Sequence, residues 1–303
     1  MRSPPLAPGA PLAVRWPGHL GDGVLALPLL EALGRRHPLA LEGPAWSAAL
    51  GAHLPRATGP ADAILLLKPS FSAGWRARRH RVRVGLATDA RWPLLTHAVV
   101  PGGGHLLADH RALGAVFGVL ASGAPCVRAT APAPPLPARA VLVLPCSGAG
   151  GARDHGAWAA LGPALAARGW APVYAAGPGQ DAALAAAAGP FPRLPPLSIP
   201  AFAAVARAAE RVVGNDAGLT HLAAAARRAA GWADATVHVS YGPTAPGASG
   251  PPGATAHHGE RPACWPCAQT RCRFTGPPPC AHPGLPVDPA ALGAPADGGG
   301  GGG

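Results

Sequence analysis

A chain of 303 residues, 49% of them hydrophobic, can bury a sizeable core; this excludes global disorder and leaves room for two domains of about 150 residues each. A net charge of +11, with Lys68 the sole lysine among many arginines, points to anionic partners such as phosphates, nucleotides, nucleic acid or a membrane surface. No run of about 18 apolar residues is present to span a bilayer, and the proline-rich first residues lack the apolar core of a secretory signal. A cytoplasmic location is therefore expected.

The first element is a strand at 12–15, followed by the turn Trp16-Pro17-Gly18-His19-Leu20-Gly21-Asp22 and a helix over 24–36. A helix N-terminus gathers unpaired N–H groups and the positive end of the dipole, so it suits an anion. Asp22 at that junction is either a cap on the helix or a reactive carboxylate facing a cleft. The spacing 64–67 and 82–86 predicts two further strands. The second closes the densest basic patch, five arginines between Arg76 and Arg83, and its alternation fits a strand with one solvated face. A helix is expected over 108–121, with Leu113, Val116, Phe117 and Leu120 on one side. The stretch Thr130-Ala131-Pro132-Ala133-Pro134-Pro135-Leu136-Pro137 reads as a stiff linker. It predicts one domain over 1–129, a linker over 130–139 and a second domain over 140–292, with 293–303 a disordered glycine tail.

The second half repeats the grammar of the first: a strand at 141–144, the turn Ser147-Gly148-Ala149-Gly150-Gly151, a helix over 158–168 and a strand at 172–175. Strands alternating with helices of this length imply parallel sheets and an α/β class, with ligands in a cleft at facing strand ends. A further turn, Gly214-Asn215-Asp216-Ala217-Gly218-Leu219-Thr220-His221, ends a strand and opens a helix near Ala217. It offers free N–H groups, little bulk at Gly218, and the polar side chains of Thr220 and His221 near one mouth, which is what a diphosphate needs. The plainer alternative makes Asp216 an N-cap and His221 a packed core residue.

Six cysteines in a cytosolic chain are expected to be reduced or metal-bound. Cys264, Cys267, Cys272 and Cys280 are spaced as a tetrahedral structural zinc site would be; free thiols or a disulfide are the alternatives. Cys126 and Cys146 read as core residues. Trp16, Trp75, Trp92 and Trp265 read mainly as core packing, with sugar stacking the alternative.

Leu20-Gly21-Asp22-x-x-Leu25-x-x-Pro28 and Gly214-Asn215-Asp216-x-Gly218-x-x-His221, taken with Tyr241-Gly242-Pro243-Thr244, resemble the motifs of family 9 glycosyltransferases. These are the bacterial heptosyltransferases of lipopolysaccharide core assembly. The resemblance spans about residues 12 to 292, in the right order. It implies a GT-B fold: two Rossmann-like domains with parallel sheets facing a central cleft. It implies inverting transfer of a heptose or related sugar from a nucleotide-sugar donor, often ADP-heptose, to a lipid-linked anionic glycan, with no cofactor required. Asp22 would be the general base. Ser147, Gly148, Arg153, Asp216, Ala217, Gly218, Thr220 and His221 would handle the donor and its diphosphate. The chain would work in the cytoplasm in peripheral contact with the inner membrane face, and nucleic acid is not an expected partner.

Two departures from the family pattern stand out. The lysine of its Lys-x-Trp-Pro segment is missing from Gly151-Ala152-Arg153-Asp154-His155-Gly156-Ala157-Trp158, and Arg153 is the cation that remains. Residues 227–234 read as an insertion. The rival readings are a catalytically impaired nucleotide-sugar-binding relative and, from another class, a basic zinc-containing nucleic-acid-binding protein.

Overall fold

The computed structural model describes residues 5–148, 157–267, 272–273, 279–280 and 284–295. The chain divides into two compact units, Met1–Cys126 with Gly247–Ser249, and Val127–Pro246 with Gly250–Gly303. The Pro-rich stretch 130–139 falls inside the second unit, ahead of its first strand. Val127 is already tied there, its N–H donating to the carbonyl of Ala225 at 3.0 Å.

The first unit runs β1 (Leu12–Arg15), α1 (Leu20–Leu25), α2 (Leu27–Gly34), β2 (Leu39–Glu42), α3 (Ala45–Leu50), β3 (Ala63–Leu66), α4 (Phe71–Arg76), β4 (Val82–Leu86), β5 (His97–Val99) and α5 (Leu106–Val116). All strand pairs are parallel, in the order β2-β1-β3-β4-β5. The strands are short and apolar because helices cover both faces; Ile64, Leu65 and Leu66 are each at most 1% exposed. The helix expected over 24–36 starts earlier, at Leu20, and is broken at Ala26. Pro28 lacks an N–H for the Val24 carbonyl, so one run becomes two helices. The helix expected to reach residue 121 stops at Val116, because Gly118 takes a left-handed φ of 66°. Leu113 and Phe117 keep their place in the core, whereas Leu120 is 78% exposed. The arginines before Arg83 lie ahead of the strand: Arg76 on α4, Arg78 and Arg79 on the 3-10 turn Ala77–Arg79 that follows it, and Arg81 just before the strand.

The second unit runs β6 (Ala140–Leu144), α6 (Trp158–Ala166), β7 (Ala171–Tyr174), α7 (Asp181–Ala188), α8 (Ile199–Ala208), β8 (Arg211–Asn215), α9 (Gly218–Ala229), β9 (Val237–Tyr241), α10 (Pro246–Ser249) and β10 (Thr255–His258). The three-residue remainder of α10 after Pro246 groups with the first unit. The sheet is again all parallel, ordered β10-β9-β8-β6-β7. One core packs Val141, Val143, Trp158, Leu161, Leu165, Trp170, Tyr174 and Val213.

Counted from each unit's own first strand, both sheets have the order 2-1-3-4-5. The direction of strand addition reverses between the first and third strands, and ligands of doubly wound sheets bind beyond the carboxyl ends at that switch point. In the first unit these ends belong to β1 and β3, in the second to β6 and β8. The expected class, α/β with two Rossmann-like parallel sheets, is what the structure contains. The tail expected over 293–303 lies, from residue 296 on, outside the described residues.

Candidate functional site

At the switch point of the first sheet, β1 leads into the turn before α1 and β3 leads into Lys68. Asp22 is the third residue of α1 and half-buried; the helix N-cap is His19, which makes no side-chain cap hydrogen bond. Asp22 therefore is not the cap, and its carboxylate stands in the first turn where the helix dipole favours a negative charge. Several contacts fix this turn. Leu67 N–H donates to the Arg15 carbonyl at 3.0 Å, joining the two strand ends. Gly23 lies against the Trp46 ring, where a Cβ would be 2.5 Å from the nearest ring carbon. Trp16 is a core residue, 1% exposed, with its ring edge-on to Trp46. From α5, the buried His110 holds the far end of α1: its Nδ1 donates to the Leu25 carbonyl at 3.0 Å. Burial lowers its pKa to about 4, partly opposed by that hydrogen bond, so the neutral form is the native one.

Lys68 is exposed beyond β3, and its carbonyl accepts from Arg91 Nη1 at 2.5 Å. Arg91 is wholly buried and also donates to the carbonyls of Leu86 and Leu66. It thereby ties the ends of β3 and β4 together.

At the switch point of the second sheet, β6 ends in Pro145-Cys146-Ser147-Gly148 and β8 ends in Asn215-Asp216-Ala217. Asn215, 1% exposed, joins the two by donating Nδ2 to the Pro145 carbonyl, while its Oδ1 has no hydrogen-bond partner among the described residues. The Ser147 carbonyl accepts from Gln180 at 2.8 Å. Gly148 is exposed and open, with nothing within 4 Å of where a Cβ would be. Arg153 and residues 149–151 of this turn lie outside the described residues.

The N-cap of α9 is Ala217, in extended geometry and without a side-chain cap, so Asp216 is not the cap. Its carboxylate, 8% exposed, accepts from the Thr244 hydroxyl at 2.5 Å on Oδ2 and lies 3.5 Å from His221 Nε2 on Oδ1. His221 is 6% exposed, and its Nδ1 has no hydrogen-bond partner among the described residues. Thr220 does not face the mouth as expected. It is fully buried, and its hydroxyl donates to the Asn215 carbonyl at 2.7 Å in space left by the missing Cβ of Gly214. Asp216, Ala217, Gly218 and His221 are thus gathered at one strand end, with Thr220 locking the turn from inside.

Thr244 is the residue that sequence reasoning left out of the site. It follows β9, the parallel neighbour of β8, so its turn emerges beside Asp216. Burial and then the Asp216 charge push the Tyr241 phenol up, which keeps it neutral beside that carboxylate. Trp265 Nε1 donates to the Gly242 carbonyl at 3.0 Å and Cys267 N–H to the Pro243 carbonyl at 3.1 Å, so the cysteine segment steadies the same turn. Cys264, Cys267 and Cys272 are half-buried and Cys280 is buried, all as free thiols. Burial and the neighbouring Cys267, Cys272 and Cys264 raise the Cys280 pKa. Among the described residues, no three His, Cys, Asp or Glu side chains are gathered closely enough to hold a metal ion.

The model of glycosyltransferase family 9 (heptosyltransferase) matches residues 56–276, a span that includes the Asp216 turn and Thr244 and begins after Asp22. No curated protein matches the chain. Among solved structures, the Escherichia coli ADP-heptose lipopolysaccharide heptosyltransferase II is similar at a TM-score of 0.66 and 17% identity, over 93% of this chain and 97% of that one. The E. coli heptosyltransferase WaaC with ADP-2-deoxy-2-fluoro heptose gives 0.63 and 17%, over 82% and 93%. A family 9 glycosyl transferase from Veillonella parvula DSM 2008 gives 0.67 and 15%, over 84% and 88%. At such identities the likeness is one of fold, the GT-B pairing of two Rossmann-like domains. With more than two-thirds of its length matched by the family model, the chain belongs to glycosyltransferase family 9, the heptosyltransferases, and is a glycosyltransferase.

Proposed function

We propose that the chain is an inverting transferase that moves a heptose from ADP-heptose to a lipid-linked anionic glycan of the lipopolysaccharide core type. One observation carries the reading: in each unit the motif turn stands at the carboxyl ends of the two strands flanking the switch point. In this reaction the Asp22 carboxylate takes the proton of an acceptor hydroxyl. That oxygen then attacks the anomeric carbon from the face opposite the diphosphate, the bond to the diphosphate oxygen breaks, and ADP leaves. The half-buried place of Asp22 in the first turn of α1, just beyond the carboxyl end of β1, supports the assignment. The main-chain N–H groups at Ala217 and Gly218, with Ser147 and Gly148 opposite, would receive the diphosphate charge. Asp216 and His221 would face the donor sugar and phosphate, Thr220 would position the turn, and Arg153 would supply the cation that the missing lysine does not.

Neither step calls for a metal or organic cofactor, since a carboxylate base and a diphosphate leaving group suffice. A structural zinc on Cys264, Cys267, Cys272 and Cys280 rests on their spacing alone. We place the chain in the cytoplasm at the inner membrane face; no helix among the described residues is long and apolar enough to cross a membrane.

The test is transfer from ADP-heptose to a heptose-deficient lipopolysaccharide core, wild type against Asp22→Asn. A fall in kcat of about 100- to 10,000-fold with donor affinity unchanged is expected. Donor binding without turnover in either protein would favour the catalytically impaired relative, a reading the missing lysine motivates. No binding of any nucleotide sugar would overturn both.

A further inference from the structure

The first unit exposes three aromatic rings on two touching elements, and neither the fold nor the proposed chemistry uses them. Phe71 and Trp75 lie one helical turn apart on α4 and are 50% and 49% exposed; Trp92, on the 3-10 turn Trp92–Leu94, is 64% exposed. The two elements pack through Gly74, where a Cβ would be 3.2 Å from Leu94 and 3.5 Å from Arg91. The side of α4 facing the protein is thus small and filled, and the side with the large rings faces water. Phe71 and Trp75 lie side by side at this surface, their ring centroids 6.3 Å apart, and a monomer seldom leaves large rings grouped and uncovered without a use for them.

The charge on α4 and the 3-10 turn after it is of one sign, while Asp89 lies exposed three residues before Trp92. Residues 63–88 contain six lysines and arginines and no acidic residue. Arg79 is paired with Glu42 at 3.1 Å, and Arg83 turns inward to the carbonyls of Leu94 and His80. Arg76 and Arg81 are exposed and have no acidic partner among the described residues. Arg78 lies over the Trp75 ring, its guanidinium carbon 3.2 Å from the centroid, and the Phe71 ring runs nearly parallel to that of Trp75 at 6.3 Å. With a π-face of Trp75 covered by Arg78, the patch offers ring edges and loose guanidinium groups more than a platform for a base or a sugar. Such a combination suits the headgroup layer of a bilayer, where indole rings settle at the boundary and arginines meet lipid phosphates.

We propose that α4 and the Trp92–Leu94 turn form a membrane-docking surface for an anionic lipid leaflet, with Phe71, Trp75 and Trp92 entering the interface and Arg76 and Arg81 meeting its phosphates. The surface gives a physical basis to the lipid-linked acceptor proposed above and rests on that reading for its purpose, but not for its test. Because α4 follows Lys68 at the carboxyl end of β3, docking here would place a lipid-borne substrate at the switch-point edge of the first sheet.

The experiment is sedimentation of the full chain with vesicles of phosphatidylcholine, with and without a minor fraction of phosphatidylglycerol. Wild type should bind only the anionic vesicles and be released by salt. Trp75→Ser with Trp92→Ser, and separately Arg76→Ser with Arg81→Ser, should each lower the bound-to-free ratio by about tenfold or more. A blue shift of tryptophan emission on binding should be smaller in Trp92→Phe than in wild type, Trp75 supplying the remainder, and an unchanged shift would show that Trp92 stays out of the interface. Circular dichroism identifies a variant that fails to fold, and in that case Trp92→Phe and the salt dependence still decide. Lack of wild-type binding to anionic vesicles, or undiminished binding by both double variants, overturns the proposal. So does loss of affinity for a single-stranded oligonucleotide in the variants without vesicle binding in wild type. Asp22→Asn should bind vesicles normally, and the patch variants should transfer normally to a water-soluble acceptor fragment, so each reading fails by its own signal.

Discussion

Two side chains show how this chain sets its polar groups. Asp216 is nearly buried, yet both carboxylate oxygens are engaged, one by the Thr244 hydroxyl and the other by His221. Removing a hydrogen bond to a buried charge costs about 1.5–3 kcal/mol. Thr244→Val should therefore weaken ADP-heptose binding by about tenfold or more in calorimetry, and Thr244→Ser should restore it; unchanged affinity in the valine variant would separate Asp216 from the donor. His110 carries a pH signature. Its folded pKa of about 4 lies below the ordinary 6.5, chiefly through burial, so the unfolded chain binds the proton more readily. Its contribution is complete above pH 6.5 and is lost as the pH falls toward 4, at about 1.4 kcal/mol per unit. His110→Gln should flatten the stability profile in that window, as read by urea unfolding at a series of pH values. At this scale the sequence told only part. The positions of Asp22, Asp216 and His221 just beyond strand ends were legible because a strand, a short turn and a helix set them. Thr220 was not, because its direction depends on the space beside Gly214, and the contact of Thr244 was not, because Thr244 reaches Asp216 from the turn after β9, 28 residues further on.

The elements were legible where pattern and backbone agreed. The strand at 82–86 has the bounds its alternation predicts, and α9 begins one residue after Ala217. Errors came where one residue outweighed the pattern: Pro28 divides the first helix, and Gly118 ends α5 before Leu120. Helix α1 is also held by shape. Gly23 passes the Trp46 ring so closely that an added methyl group must displace it. Crowding of this kind costs about 1–3 kcal/mol and works against the roughly 1 kcal/mol that alanine gains over glycine in a helix. Gly23→Ala should lower the melting temperature, and because Asp22 is the adjacent residue it should also lower kcat more than it changes donor KM. A variant with wild-type melting and wild-type kcat would show that Trp46 yields freely.

Across the whole molecule, one topology is used twice. A composition rich in alanine, glycine and proline carried little local preference, so the α/β class was read from the alternation of elements. Strand order was not readable at all, since nothing in a short apolar run says which neighbour it pairs with. What recurs is that every strand of a sheet points the same way, so its chemistry-bearing turns collect along one edge. The opposite edge is then free to vary. The loop 51–62 enters β3 from that side, and Gly59 is exposed with nothing within 4 Å of a Cβ position. Foreign chain spliced in after Gly59 leaves the sheet register and the motif turns untouched, and closing a longer loop there is cheap. A fluorescent domain carried at this point should leave transfer within about twofold of the parent, which a side-by-side rate assay would check. The parallel architecture thus supplies a graft point, remote along the strands from the reacting edge, at which the enzyme can be labelled, tethered or displayed while it works.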